Sequence, residues 1–277
     1  MGMRVTTNIS AINAQRNLVG SQRAMGKSMA QLASGSRINI AADDAAGLAI
    51  SEKFKSSIRS AAQAQRNAND GISMVQTAEG GLGEISNIVT RLRELGIQAA
   101  SDTVGDTERG FVNKEVQQLK AEAQRIANVT TWGTTKLLDG SSPTFDFQVG
   151  LYNNKEQDRI SFAAGQNIAT LDALGLTGLD YSSKEGAQQA LSLLDKAQTT
   201  TNGIRANLGA LQNRLTSTVD NLGVAQENMS AANSRIRDTD VAMATSEMTR
   251  NNILLQAGTA TLSQANQVNQ LALKLIG

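Results

Sequence analysis

The chain has no cysteine and no histidine, and Pro143 is its one proline. Without thiols there are no disulfides, no thiolate nucleophile and no thiolate metal ligand. Without imidazole, the usual neutral-pH acid/base group and a common transition-metal ligand are missing as well. Together these absences argue against an enzyme and against a bound metal or cofactor. Aromatics make up 3% of the 277 residues, and all but Phe54 and Phe111 lie between Trp132 and Tyr181. Both ends must therefore pack on small aliphatics rather than on the large rings that dominate ordinary cores. No stretch reaches the roughly 18 apolar residues of a membrane span, and the opening MGMRVTTNISAINAQRNLVG lacks the apolar h-region of a secretory signal. The expectation is no membrane insertion and, for a protein that leaves the cell, export without a cleaved signal peptide. A formal net charge of +1 provides no long-range basic field for nucleic acid.

What is abundant is Ala, Leu, Gln and Met, and with a single proline these favour long, uninterrupted helices. From Ile204 onward, Leu208, Leu215, Leu222, Met229, Ile236 and Met243 recur every seventh position, with Ile204, Leu211, Ala225 and Ala232 at the complementary one. Such a repeat is a coiled-coil seam and needs a partner. Val75, Ala78, Leu82, Ile85, Val89, Leu92 and Ala99 supply one with the same alternation of three and four, and Val112, Val116, Leu119, Ala123 and Ile126 supply a shorter second. Between the two halves, Phe145, Phe147, Val149 and Leu151 alternate, followed by the polar YNNKEQD and then Ile160 and Phe162, the pattern of a β-hairpin. The expected fold is mainly α, a long coiled-coil helical bundle built from both chain ends with a small central β-hairpin region. Its parts are expected at 1–44, 45–128, 129–182, 183–234 and 235–277.

The two tips differ from the rest. From Asn251 to Gly277 the only charged side chain is Lys274, although Ile253, Leu254, Leu255, Leu262, Val268, Leu271, Leu273, Leu275 and Ile276 are mixed with Gln, Asn, Thr and Ala. The N-terminal counterpart is amphipathic through Ile9, Ile12, Val19, Met25, Met29 and Leu32, with basic residues and no acid before Asp43. A solvated helix normally carries a charged face. These tips are suited to packing on each other and on neighbouring copies; frayed tails are the alternative.

Asp43 and Asp44 are adjacent carboxylates with no pocket or partners for acid/base work. They are expected to form a connector with Ser36 and Arg37, one aspartate capping a helix that begins near Ala45 and Arg37 pairing with one of them. The turn-like Asn69-Asp70-Gly71 and the glycines of EGGLGE interrupt helical periodicity without the strand context of a hairpin or a nucleotide loop, so close packing or a local bend is expected there. RLRELGIQ, 91–98, alternates charge as a solvated helix face does.

The stretches LASGSRINIAADDAAGLAISEKFKSSIR, NANDGISMVQTAEGGLGE, RLRELGIQAAS, LGALQNRL, ENMSAANSRIRDTDVA and ILLQAGTATLSQANQ, in this order and at both ends, resemble bacterial flagellin over roughly residues 5–138 and 204–270. The resemblance implies a subunit that self-assembles into the flagellar filament, extracellular and exported unfolded through the flagellum's own channel. Implied partners are further copies of the chain, the export apparatus and an export chaperone, and junction and cap proteins. Paired terminal helices would line the innermost tube and a coiled-coil domain the surrounding shell, with the short middle leaving no large outer domains. Ile9, Ile12, Val19, Leu32, Leu255, Leu262, Leu271 and Leu275 are then the expected assembly interface. The family's receptor-facing patch, read by Toll-like receptor 5 in animal hosts, maps onto Arg91, Leu95 and Glu115, with Gly96 where alanine is usual and a looser helical turn expected. A hook–filament junction protein and a cytoplasmic signalling coiled coil are the alternatives.

Overall fold

A computed structural model describes the backbone of residues 7–274 and the side chains of residues 7–267. Five helices carry most of it: α1 (Ile9–Ser34), α2 (Ala45–Ala99), α3 (Asp106–Val129), α4 (Lys184–Arg237) and α5 (Val241–Lys274). Two antiparallel strand pairs lie between α3 and α4, β1 (Thr131–Trp132) with β2 (Thr135–Lys136), and β3 (Thr144–Gln148) with β4 (Arg159–Ala163). The chain divides into two compact units, Arg59–Glu227 and Met1–Ile58 with Asn228–Gly277. The division falls inside α2 and α4.

In the unit Arg59–Glu227, the periodicity becomes burial. Ala61, Ala64, Ala68, Val75, Ala78, Leu82, Ile85, Val89, Leu92 and Ala99 of α2 are buried, as are Ala187, Ala190, Leu194, Ala197, Thr201, Ile204, Leu208 and Leu215 of α4. Both sets step by threes and fours, so each helix keeps one seam inward, and α4's seam begins well before Ile204. The helices run antiparallel, with Arg93 Nε donating to Asp195 Oδ1 at 2.8 Å and Arg205 3.7 Å from Glu79. Val116, Ala123 and Ala127 close the bundle from α3. Gly71 is not a turn: α2 runs through it, and a Cβ there would lie 3.2 Å from the Phe147 ring. At Gly81 a Cβ would lie 2.6 Å from Thr130 Oγ1. These glycines allow close approach, as the absence of strand context indicates.

The hairpin has the alternation read from the sequence. Phe145 pairs with Phe162 and Phe147 with Ile160, the Phe145 and Phe162 rings stacking with centroids 6.1 Å apart. One face lies on the helical core, where Phe162, Ile160 and Val149 are buried. The β1–β2 pair was not read from the sequence; two-residue strands are too short to show a period.

Two buried polar anchors hold this unit together. The last turn of α2 contains no basic residue, and Arg109 reaches back from α3 to cap it. Its Nε donates to Ala99 O at 2.8 Å and its Nη2 to Ser101 O at 2.9 Å, leaving the side chain 8% exposed. Tyr181 is fully buried, with its hydroxyl donating to Leu92 O at 2.9 Å. Gly96 makes that possible, since a Cβ there would lie 3.3 Å from Tyr181 Oη and 3.2 Å from Leu191 Cδ2. The expected loosening of α2 at Gly96 does not occur; the helix is continuous and the tyrosine fills the gap.

Burial pushes the Tyr181 phenol from 10.0 up to about 12. The folded state resists ionisation that the unfolded chain undergoes near pH 10, so this contribution to stability is intact below pH 10 and lost as pH rises towards 12. At about 1.4 kcal/mol per unit it amounts to roughly 2–3 kcal/mol. Thermal melts of the wild type and Tyr181→Phe are therefore expected to converge between pH 10 and 12, with the tyrosine protein losing stability faster. Parallel curves would contradict this.

The other unit is built differently. α1 and α5 lie antiparallel: Asn8 caps α1 by accepting from Ala11 N at 3.0 Å and donates to Ala265 O on α5 at 2.9 Å. At the far end Gly35, in the left-handed region at φ 69°, ends α1. There the two connectors pair, Arg37 N donating to Arg237 O at 2.6 Å and Thr239 N to Gly35 O at 3.0 Å. Asp240 caps α5, accepting from Ala242 N at 2.9 Å and Met243 N at 3.1 Å. This break corrects the continuous heptad read through Ile236 to Met243. Met243 is 64% exposed, and Ala244 takes the inward position instead.

Candidate functional site

The contact between α1 and α5 is narrow. Ala11, Ala14, Leu18, Ser21, Met25, Ser28 and Leu32 turn inward from α1, and Ala244, Met248, Asn251, Leu255, Gly258, Leu262 and Ala265 from α5. Both series alternate threes and fours, but among them only Ser28 and Ala244 are fully buried. Small side chains let the backbones approach without covering much apolar area. A Cβ on Gly258 would sit 3.6 Å from Leu18 Cδ1.

The residues expected at an assembly interface therefore separate into two groups. Leu32, Leu255 and Leu262 belong to the seam within the molecule and are half-buried. Ile9, Ile12 and Val19 are exposed on α1, Ile9 by 58% and Ile12 by 48%. Leu271 and Leu275 lie outside the residues whose side chains are described. Ile253 and Leu254, apolar residues of the same charge-poor segment that the expected interface left out, are exposed by 60% and 48% on α5. A heptad count from Leu255 through Leu262 would have put both off the seam. Arg16 and Arg23 flank Ile12 and Val19, giving this α1 surface a mixed apolar and basic character.

The connector is closely held. Asp44 Oδ1 accepts from Gly47 N at 2.8 Å, the capping geometry of a helix N-terminus. Asp43 lies 2.9 Å from Lys27 Nζ and accepts from the N–H groups of Asn39 and Ile40 at 3.2 and 3.3 Å. The Lys27 ammonium, with those two amides, holds the Asp43 carboxyl below its ordinary range. The partner expected from the sequence, Arg37, is a correction: its guanidinium donates to Ile236 O at 2.7 Å instead. Arg37 is carried towards the facing connector by the Ser36–Asp238 bridge, which leaves the aspartates to a lysine on α1.

Arg91, Leu95 and Glu115 do not form one surface patch. Arg91 and Glu115 are paired at 2.9 Å and about half exposed, with Glu94 3.0 Å from the same guanidinium. Leu95 is 2% exposed and belongs to the hydrophobic core. A side chain so buried cannot face a receptor in this conformation. Among the described residues no cluster of three acidic side chains could hold a metal ion, and no helix is long and apolar enough to cross a membrane.

Comparison with known proteins follows the same two ends. A family model for the bacterial flagellin N-terminal helical region matches residues 5–143, and one for the C-terminal helical region matches 191–276. The sequence is 43% identical over 274 residues to a flagellin of Halalkalibacterium halodurans, covering 99% of this chain and 100% of the relative. It is 42% identical over 287 residues to a flagellar filament core protein of Brachyspira hyodysenteriae, covering 99% and 100%. Among solved structures it resembles the crystal structure of Bacillus cereus flagellin, with TM-score 0.51 and 30% identity over 61% of this chain and 94% of that one.

Proposed function

The chain belongs to the bacterial flagellin family and is a structural subunit of the flagellar filament, and we propose that its copies polymerise through the outward faces of α1 and α5. The observation that carries this is the narrow seam: the two helices leave Ile9, Ile12, Val19, Ile253 and Leu254 exposed while burying little between them. Ordering two long helices costs conformational entropy that such a seam offsets only in part. Neighbouring copies supply the remaining burial. Residues 1–44 and 235–277 thus serve as the assembly element, 45–128 and 183–234 as the coiled-coil body, and 129–182 as the hairpin region.

The weak terminal pairing also suits export. A chain without disulfides, whose tips gain most of their burial on polymerisation, passes unfolded through the flagellar export apparatus with a chaperone covering its apolar surface. It requires no cleaved signal peptide. Junction and cap proteins contact the filament ends. Contact with Toll-like receptor 5 would run through Arg91 and Glu115, with Leu95 left to the core.

The test is the double substitution Ile12→Asp with Val19→Asp. Each replaces an exposed aliphatic, so the monomer is expected to keep its helical signal. Burying an Ile or Val side chain contributes roughly 1.5–3 kcal/mol, and the loss recurs at every subunit added. Electron microscopy after seeding is expected to show filaments from the wild type and none from the variant. Normal filaments from the variant would place the polymerising surface elsewhere.

A further inference from the structure

The methionines are unevenly distributed. Met74 is the only one in Arg59–Glu227, whereas Met25, Met29, Met229, Met243 and Met248 all fall in the unit containing α1 and α5. The antiparallel register of the two helices is fixed by the Asn8–Ala265 hydrogen bond, the approach of Gly258 to Leu18, and the Thr239–Gly35 hydrogen bond. Counting along both helices from these points brings Met25 opposite Met248, both half-buried in the seam. Met29 and Met243, 51% and 64% exposed, lie one turn or so away.

We propose that Met25 and Met248 form an oxidative modification site that sets whether the unassembled subunit can polymerise, its substrate class being two-electron peroxide oxidants. The chain has no cysteine, so thioethers are its softest nucleophiles. In the step, the methionine sulfur attacks one peroxide oxygen, the O–O bond breaks and an S–O bond forms. The sulfur is oxidised by two electrons to the sulfoxide, and the peroxide is reduced to water. A flexible apolar side chain becomes a polar, chiral one. In a seam made of alanine, serine, glycine and a few leucines, that change falls where close approach matters most. Met29 and Met243 react faster because they are exposed, but they are off the seam and their oxidation leaves the pairing of α1 with α5 intact.

This rests on polymerisation through the terminal helices. Unoxidised wild type that fails to polymerise would defeat that reading, whereas the proposal here fails only in the oxidised arms. Monomer is treated with hydrogen peroxide, quenched and seeded, and the polymerised fraction is measured by sedimentation. Each sulfoxide retained in the seam is expected to lower the polymerisation equilibrium about tenfold, equivalent to about 1.4 kcal/mol. Met25→Leu with Met248→Leu, a change that conserves volume, is expected to polymerise equally before and after peroxide. Met29→Leu with Met243→Leu is expected to remain sensitive. Peptide mapping of oxidised wild type provides a readout independent of any variant: sulfoxide at 25 and 248 is expected to concentrate in the unpolymerised fraction. Equal distribution between fractions, loss of polymerisation by the oxidised seam variant, or resistance in the surface variant would overturn the proposal.

Discussion

Removal of residues 251–277 is expected to abolish filament formation while leaving Arg59–Glu227 folded. The deletion takes the seam residues Asn251, Leu255, Gly258, Leu262 and Ala265 away from α1, together with the exposed Ile253 and Leu254. What remains of α5 is under three turns, and α1 loses most of its partner helix. Isolated helices owe little to propensity and depend on packing of one face, so α1 is expected to lose helical signal too. The hydrophobic core around Leu82, Ile85, Leu92, Leu194 and Leu208 contains no residue of α1 or α5. Its cooperative thermal transition should therefore shift by less than about 2 °C, corresponding to under about 1 kcal/mol for a unit of this size. Filaments from the truncated chain, or collapse of the remaining transition, would contradict this division of labour.

The second large effect is expected in the body rather than at the tips. Arg109→Ala removes the side chain that satisfies the Ala99 and Ser101 carbonyls at the end of α2. Losing two charged hydrogen bonds and leaving the buried Ala99 carbonyl without its donor costs about 3 kcal/mol, while Ser101 O keeps the Val104 N–H at 3.3 Å. For this unit that is a fall of roughly 6–12 °C in its thermal midpoint. Asp106 contributes little, because its side chain is 90% exposed. Arg91→Ala is the control. It breaks a half-exposed pair with Glu115 and Glu94, worth under about 1 kcal/mol. If the two variants melt together, Arg109 is not the cap inferred from its geometry.

The helices and the hairpin were legible because burial repeats. Alternating threes and fours mark α2, α3 and α4, and alternating twos mark β3 and β4, so one buried face is written many times over. Single side chains are written once. Leu95 was grouped with Arg91 and Glu115 because the family's receptor-facing patch maps onto all three, yet it lies three after Leu92 and four before Ala99, both on the seam. Counting from Leu92 would have placed it in the core. Met243 was read onto the α4 seam because the heptad continues arithmetically across Asp238-Thr239-Asp240, where the capping chemistry of Asp240 starts a new helix. Arg109 and Lys27 carried no positional signal. Whether a basic residue caps a helix, pairs with an aspartate or faces water depends on how a connector turns. Lys120 is another case, buried against the Thr177 and Leu179 carbonyls at 2.8 and 3.2 Å, with burial lowering the pKa of its ammonium.

At the tips, the sequence showed where charge is absent but not which apolar residues the molecule covers itself. The register divides them: Leu18, Met25, Leu32, Leu255 and Leu262 turn towards the partner helix, while Ile9, Ile12, Val19, Ile253 and Leu254 remain outside. That division makes the proposed polymerising surface specific to named side chains.

Amide hydrogen exchange followed by mass spectrometry, on dilute monomer and on seeded filament, tests the dependence of the terminal helices on neighbouring copies most directly. Amides of α1 and α5 are expected to exchange quickly in the monomer and slowly in the filament, with the helical core of Arg59–Glu227 protected in both. Strong protection throughout α1 and α5 in dilute monomer would show that the two helices are complete by themselves.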